Sequence, residues 1–153
     1  MNTYHLAQIN IAKIKGVTLQ DPVMKEFVDN LERINKLADD SPGFIWRLKE
    51  EDSSLDNVNP HEKEQIIINL SVWESVETLR LYVYETVHTD FLRRRKEWFQ
   101  RYGKAQATMW WIQDDQLPTV KEGLAKLSHY EKHGSSVLAF DFRNRFEKPV
   151  KLH

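Results

Sequence analysis

Tyr84, His88 and Arg95 recur at spacings of four and seven, so a helix through them sets a phenol, an imidazole and a guanidinium near one edge. Imidazole titrates near neutrality, which suits His88 to the role of general base, with Tyr84 supplying a proton or an orienting hydrogen bond. His88 also reads as a hydrogen-bonded packing residue at the margin of an apolar stripe, or as a haem or metal ligand. A second group of polar side chains sits on residues of one strand parity: Gln8, Asn10, Asn69, Ser71 and Thr108, with Trp73 among them. If the second helix covers that parity, a polar-tipped, aromatic-walled pocket results, with Asn10 and Asn69 as polarising donors and Trp73 and Trp46 as walls. Trp46 and the Trp110-Trp111 pair read first as core or interface residues and only second as a stacking platform.

Arg93, Arg94, Arg95 and Lys96 form a basic run, and three consecutive helical positions span about 200°, so not all of them avoid the core side. Arg94 shares the azimuth of Val83 and Val87 and is expected to reach a carboxylate such as Glu97, one on a partner subunit, or an anionic ligand. His129 and His133 lie four apart with Glu131 between them, which supports adventitious metal binding at most. No HExxH motif, Gly-rich phosphate loop, nucleophile elbow or paired-carboxylate motif occurs, and no metal site is assigned.

The elements that must position these groups follow from hydrophobic period and capping signals. Strands are predicted over Tyr4 to Ala12, Phe44 to Lys49, Ile66 to Trp73, Ala105 to Gln113 and Val137 to Phe142. Asp21-Pro22 opens a first helix over Val23 to Asp39, and Ser75 caps a second that runs from Val76 through Val87 towards Trp98. Thr119 and Glu122 form a capping box for a third helix that stops at Gly134. Glu50 to Glu64 is acidic, lacks either period and reads as a loop. This order predicts an α+β fold: a ferredoxin-like antiparallel sheet with helices on one face, as a single domain over residues 1–143 with a polar tail over 144–153.

One strand parity is almost purely apolar: Ala7, Ile9, Ile11; Phe44, Trp46, Leu48; Ile66, Ile68, Leu70, Val72; Ala107, Met109, Trp111. The other mixes polar residues with Leu6, Ile45, Ile67, Trp73, Trp110 and Ile112, more large apolar groups than a solvated face tolerates. Each such side chain left in water forfeits roughly 1.5–3 kcal/mol, so a second covering layer is expected. The preferred cover is a second copy packed sheet on sheet; the alternative is the third helix and tail folding back across.

Composition narrows the rest. With 153 residues, 41% of them hydrophobic, and five Trp, the chain holds one core and little room for another. Lys plus Arg number 22 against 23 Asp plus Glu, so the net charge of -1 offers no general pull on phosphate backbones or anionic lipid; nucleic acid is not expected as a partner. No stretch reads as a membrane span or a secretory signal. The absence of Cys removes disulfides, thiolate metal sites and a Cys nucleophile, and fits a cytoplasmic protein.

The run Asn69-Leu70-Ser71-Val72-Trp73-Glu74-Ser75-Val76-Glu77, then Tyr82-Val83-Tyr84, His88 and Leu92-Arg93-Arg94-Arg95-Lys96-Glu97-Trp98-Phe99, resembles a bacterial family of unknown function within the dimeric α/β-barrel superfamily. Ser41-Pro42-Gly43-Phe44-Ile45-Trp46-Arg47-Leu48, Trp110-Trp111 and Pro118-Thr119-Val120 extend the resemblance over Tyr4 to Phe142. It implies a dimeric barrel and, through the superfamily's antibiotic-biosynthesis-type monooxygenases, an oxidoreductase acting on an aromatic or lipophilic small molecule without metal or flavin. Haem-degrading members line their pocket with a strand Asn, a helix Trp and a helix His. Here Asn10 matches the first, Tyr82 stands nearest the second, and His88 is offset by about four residues from the ligand spacing, which speaks against haem degradation. The site thus expected comprises His88, Tyr84 and Asn10 as catalytic groups and Trp46, Asn69, Ser71, Trp73 and Arg94 around the substrate. The alternatives are a dimer that binds a small molecule, haem included, without chemistry, or a purely structural dimer module.

Overall fold

The computed structural model describes residues 4–49, 66–86, 94–100 and 105–149; His88, Arg93 and the Glu50 to Glu64 loop expectation lie outside the described residues. In chain order the elements are β1 (Tyr4–Ile14), α1 (Lys25–Asp39), β2 (Phe44–Arg47), β3 (Ile66–Trp73), α2 (Val76–Leu81), α3 (Arg95–Trp98), β4 (Phe99–Gln100), β5 (Ala107–Gln113) and α4 (Val120–His133). Local chemistry accounts for the boundaries. The Asp21 carboxylate accepts from the Val23 backbone N–H ahead of a single 3-10 turn, Pro22–Met24, that leads into α1. Ser75 and Thr78 form a reciprocal capping box on α2. Thr119 accepts from the Glu122 N–H, and Gly134 ends α4 with φ of 72°.

All pairings are antiparallel, in the order β2-β3-β1, and the far side of β1 is shared. β5 pairs with its Tyr4–Asn10 half, while β4 pairs with Lys13 and Ile14. That is the ferredoxin-like order expected from the sequence, in the α+β class. The second predicted helix is interrupted: α2 passes into one π-helical turn, Tyr82–Thr86, and α3 is a separate single turn. The predicted strand Val137 to Phe142 does not form; only isolated bridges, Met109 with Phe140 and Ser136 with Ala139, occur there.

Register decides which side chains share a face. Ala7 opposes Val72 and Trp110, Ile9 opposes Leu70 and Thr108, and Ile11 opposes Ile68. The parity assignment for β5 is therefore corrected: Trp110 and Ile112 lie with Ala7 and Ile9, and Met109 and Trp111 lie on the opposite face with Leu6 and Gln8. Four consecutive apolar residues, Met109 to Ile112, leave the alternation of β5 degenerate, and only pairing with β1 resolves it. β2 is corrected similarly. A bulge between Phe44 and Trp46 sets Phe44 opposite Trp73 and Trp46 opposite Val72, so the two residues face opposite ways.

The expectation of helices on one face holds for α1 and α2, whose Phe27, Ala38 and Leu79 pack on the face of Leu6, Ile14 and Trp73. It is corrected for α4, which lies across the other face: Leu127 joins the cluster of Ala7, Ile9, Leu70, Val72 and Trp110, with Val120 and Leu124 packed against it. Gly123 makes the approach close, because a Cβ there would meet Ile9 Cδ1 at 2.8 Å. Among the described residues the cover is partial: Ile45, Trp46, Leu48 and Ile68 pack against this cluster and stay half-buried.

Candidate functional site

The face beneath α1 and α2 is apolar at both ends and polar in the middle. At one end Leu6, Trp73, Met109 and Phe140 pack with Ala38, Val76 and Leu79; at the other Ile14, Met24, Phe27 and Trp98 close together. Between these clusters lies a cavity of about 230 Å³, floored by Gln8, Asn10, Ala12, Asn69 and Ser71 and roofed by α1 through Leu31, Ile34 and Asn35 and by the α2 turn through Leu79, Tyr82 and Val83. Arg47 and Arg95 complete the lining. The floor is polar because alternate residues of β1 and β3 in register, Gln8 with Ser71 and Asn10 with Asn69, project to this side.

The polar groups form a network with a defined direction. Trp73 Nε1 donates to Ser71 Oγ at 2.8 Å, and Gln8 Nε2 donates both to Ser71 Oγ at 2.7 Å and to Asn69 Oδ1 at 2.6 Å. An indole N–H is a donor only, and a hydroxyl has two acceptor lone pairs, so both lone pairs of Ser71 are engaged and its own proton is directed elsewhere. The amide nitrogen of Asn69 likewise remains as a donor. Arg47 is held by Asp39, Nε to Oδ1 at 2.8 Å and a terminal nitrogen to Oδ2 at 3.3 Å, which leaves its other terminal nitrogen for the cavity. The floor therefore presents N–H and O–H groups to whatever oxygen lies above it.

The walls are aromatic. Tyr82 lies over Trp73 with ring centroids 5.1 Å apart, Phe44 meets the other side of Trp73 edge-on at 5.5 Å, and the Tyr82 hydroxyl donates to the Ile34 carbonyl at 3.3 Å. Burial pushes the Tyr82 phenol up to about 12, partly offset by Arg47 and reinforced by Asp39, so it remains protonated at neutral pH.

Six of the residues named from the sequence meet here: Gln8, Asn10, Asn69, Ser71, Trp73 and Arg95 all line the cavity. His88 lies outside the described residues. Tyr84 is not in the cavity; it is 58% exposed, packs against Phe142 at 5.8 Å and lies beneath Arg80. Tyr82 and Val83 fall three and four residues after Leu79 and share its inward face, whereas Tyr84, five residues on, falls outside it. Trp46 belongs to the cluster on the opposite face, so it does not wall this cavity. Thr108 also faces away, its hydroxyl donating to the Phe140 carbonyl at 3.0 Å. Arg94 ion-pairs with Glu26 and Glu97 and stacks on Trp98, the structural pairing anticipated for it, while Arg95 lines the cavity instead. Sequence reasoning missed Arg47 and Tyr82 as site residues, although Arg47 shares the mixed parity of Asn69 and Ser71, and Tyr82 was marked by its place in the family pattern.

A second cavity of about 290 Å³ shares Leu31, Asn35, Arg47, Ile67 and Asn69 and opens at Lys49 and Ile66, beside the segment outside the described residues; the hydrogen-bond network belongs to the first. Among the described lining residues of that first cavity there is no His, Cys or Met, and the one phenol is held protonated; His88, the haem-ligand alternative read from the sequence, lies outside the described residues. Among the described residues no group of three or more His, Cys, Asp and Glu is placed to hold a metal ion, and no helix is long and apolar enough to cross a membrane.

Comparison with known proteins gives a family model described as "Domain of unknown function (DUF3291)", which matches residues 5–153. No curated protein matches the sequence. Among solved structures, the chain is similar to SnoaB, a cofactor-independent oxygenase from Streptomyces nogalater, at 16% identity over 78% of this chain and 100% of that one, with a TM-score of 0.40. An asparagine-to-alanine mutant of the same oxygenase matches at 15% identity over 73% and 94% of the two chains, with a TM-score of 0.41.

Proposed function

We propose that this chain, which belongs to the DUF3291 family, binds a planar lipophilic molecule through an acceptor oxygen in the cavity between α1, α2 and the sheet, and oxidises it with dioxygen as a monooxygenase-like enzyme with no resident cofactor. The observation that carries this reading is the directed network on the cavity floor, in which Ser71 and Asn69 keep donors for a substrate oxygen while Trp73 and Tyr82 supply flat apolar walls. Donors preorganised around a phenol or enol oxygen favour its anion, and the anion is the electron-rich form that reduces dioxygen. In the simplest balance an activated methylene becomes a carbonyl: one oxygen atom enters the product, and the other leaves as water with the two hydrogens of that methylene. Asn10, Asn69 and Ser71 orient and polarise the substrate oxygen, and His88 is the base that removes the proton.

The test is oxygen consumption on a panel of phenols, hydroquinones and anthrones, with product mass shift by spectrometry. Asn69→Ala and His88→Ala should each lower turnover at least about tenfold, the loss expected for a polarising donor or a positioned base. Equal rates in wild type and both variants would defeat the reading.

One observation favours a second reading. The lining is mostly apolar, with Tyr82 stacked on Trp73 over the sheet, which also suits a site that holds its ligand without transforming it. Tight binding with no oxygen uptake would establish that alternative. For the half-buried Ile45, Trp46, Leu48 and Ile68 we propose a second copy as cover, and a lone polypeptide at micromolar concentration in sedimentation would refute it.

A further inference from the structure

We infer that the ligand of this cavity is an amphiphilic anion, whose apolar ring system lies between α1, α2 and the sheet and whose carboxylate, sulfonate or phenolate meets Arg95 at the rim. This rests on the proposed reading of the cavity as a small-molecule site and adds the charge and placement of the ligand's head group.

Three observations carry it. First, the described lining contains two guanidinium groups, Arg47 and Arg95, and no Asp, Glu or Lys. Such a ratio departs from the chain as a whole, in which acids and bases nearly balance. Second, the two arginines differ in state. Arg47 is neutralised by Asp39 at 2.8 Å, whereas Arg95 makes no ion pair or hydrogen bond through its side chain among the described residues. Its neighbour Arg94, by contrast, takes up the carboxylates of both Glu26 and Glu97 and stacks on Trp98. Among the described residues Glu26 and Glu97 are thus engaged by Arg94 and no acid engages Arg95, whose fork of donors is open to a partner from solution. Third, the floor adds neutral donors of the same polarity, the Ser71 hydroxyl and the Asn69 amide. A cationic ligand would meet repulsion at the rim, and a neutral one would leave Arg95 without a counterpart.

Two probes that share one ring system separate charge from lipophilicity: 1-anilinonaphthalene-8-sulfonate, an anion, and N-phenyl-1-naphthylamine, its neutral counterpart. Both are titrated by fluorescence against the full chain at low and high salt. The anion is expected to bind about tenfold more tightly, with the advantage shrinking as salt rises. Arg95→Gln should bring the anion to the level of the neutral probe and leave the neutral probe unchanged, and Arg95→Lys should keep part of the preference. Ala12→Phe, which fills the cavity from β1, should displace both probes while circular dichroism confirms the fold. If the neutral probe binds and Ala12→Phe displaces it, but Arg95→Gln changes the anion less than twofold, the head-group assignment is overturned and the cavity reading survives. If neither probe responds to Ala12→Phe, both fall.

Discussion

Gly43→Ala tests how the cavity's walls are held. Gly43 stands between α1 and β2 with φ of 81°, and its carbonyl accepts from the Glu74 backbone N–H at 2.8 Å, which fixes the end of β3 next to Trp73. A methyl group there carries two separable costs. The left-handed conformation costs a non-glycine residue about 1–2 kcal/mol. The new Cβ would also come within 2.5 Å of Thr78 Cβ and 2.7 Å of its Oγ1, and Thr78 cannot retreat without leaving Ser75, with which it forms the α2 capping box. Loss of that box adds about 1 kcal/mol, for a total of about 2–3 kcal/mol. Urea unfolding followed by tryptophan fluorescence measures it, provided the m-value is unchanged. The double variant Gly43→Ala/Thr78→Gly removes the overlap, so its loss should fall short of the sum of the two single losses by about 1 kcal/mol or more. Because Leu79 and Tyr82 follow on the same turn, Gly43→Ala should also weaken binding of the neutral naphthylamine probe. A single-variant loss below about 1 kcal/mol, or strict additivity in the cycle, would refute the reasoning.

Ser71→Ala should cost about 1–3 kcal/mol in the same assay, because it strands the buried Trp73 indole N–H and one hydrogen of Gln8; a loss within error of zero would contradict the network. Trp110→Phe should cost less than Trp73→Phe although both remove the same volume, since Trp110 Nε1 is buried with no partner among the described residues and its removal relieves an unsatisfied donor. The Tyr130 hydroxyl donates to Asp141 at 2.6 Å, and this bond is the main reason its phenol is pushed up to about 12. Burial acts to raise the Asp141 carboxyl, but hydrogen bonds from Tyr130, the backbone of Asn144 and Arg143, and Ser135 outweigh it and hold the group below the ordinary aspartate value. The Asp141 contribution is therefore complete above the unfolded value near 4 and is lost as pH falls through the lower folded value. The Tyr130 contribution is complete below about 10 and is lost as pH rises through about 12. Tyr130→Phe should flatten stability against pH on both flanks, and an unchanged profile would contradict the pairing.

Much of this structure is legible in the residues. β3 begins and ends where the hydrophobic run does, and the caps at Asp21, Ser75 and Thr119 stand where their side chains predict. Parity alone assigns Gln8, Asn10, Asn69, Ser71 and Trp73 to one pocket, because β1 and β3 alternate cleanly enough to define their faces. The failures have particular causes. Apolar residues on both sides of β5 carry no period, and a bulge in β2 costs one residue of phase and turns Phe44 and Trp46 apart. Tyr84 stands five residues after the buried Leu79, off the inward face that Tyr82 and Val83 share, and its spacing to His88 and Arg95 does not reveal which side of the helix meets the sheet. The side taken by α4 depends on Gly123 admitting Ile9, a fit between distant positions with no local signature. Arg94 and Arg95 are indistinguishable as letters, and only the positions of Glu26 and Glu97 tell them apart.

The segment after α4 bears on solubility. Phe140 exchanges backbone hydrogen bonds with Met109 at 2.9 and 3.0 Å on the outer margin of β5, and Phe146 receives the Trp111 indole N–H at 2.8 Å a few residues on. An outermost strand with a free ladder invites another chain to add itself, and here that ladder is already taken up in part by the protein's own backbone. The opposite margin, β2, is only four residues long and bulged, a poor template for extension. Growth by strand addition is thus discouraged at both borders, and truncation before Phe140 should promote fibril formation, read by thioflavin T fluorescence.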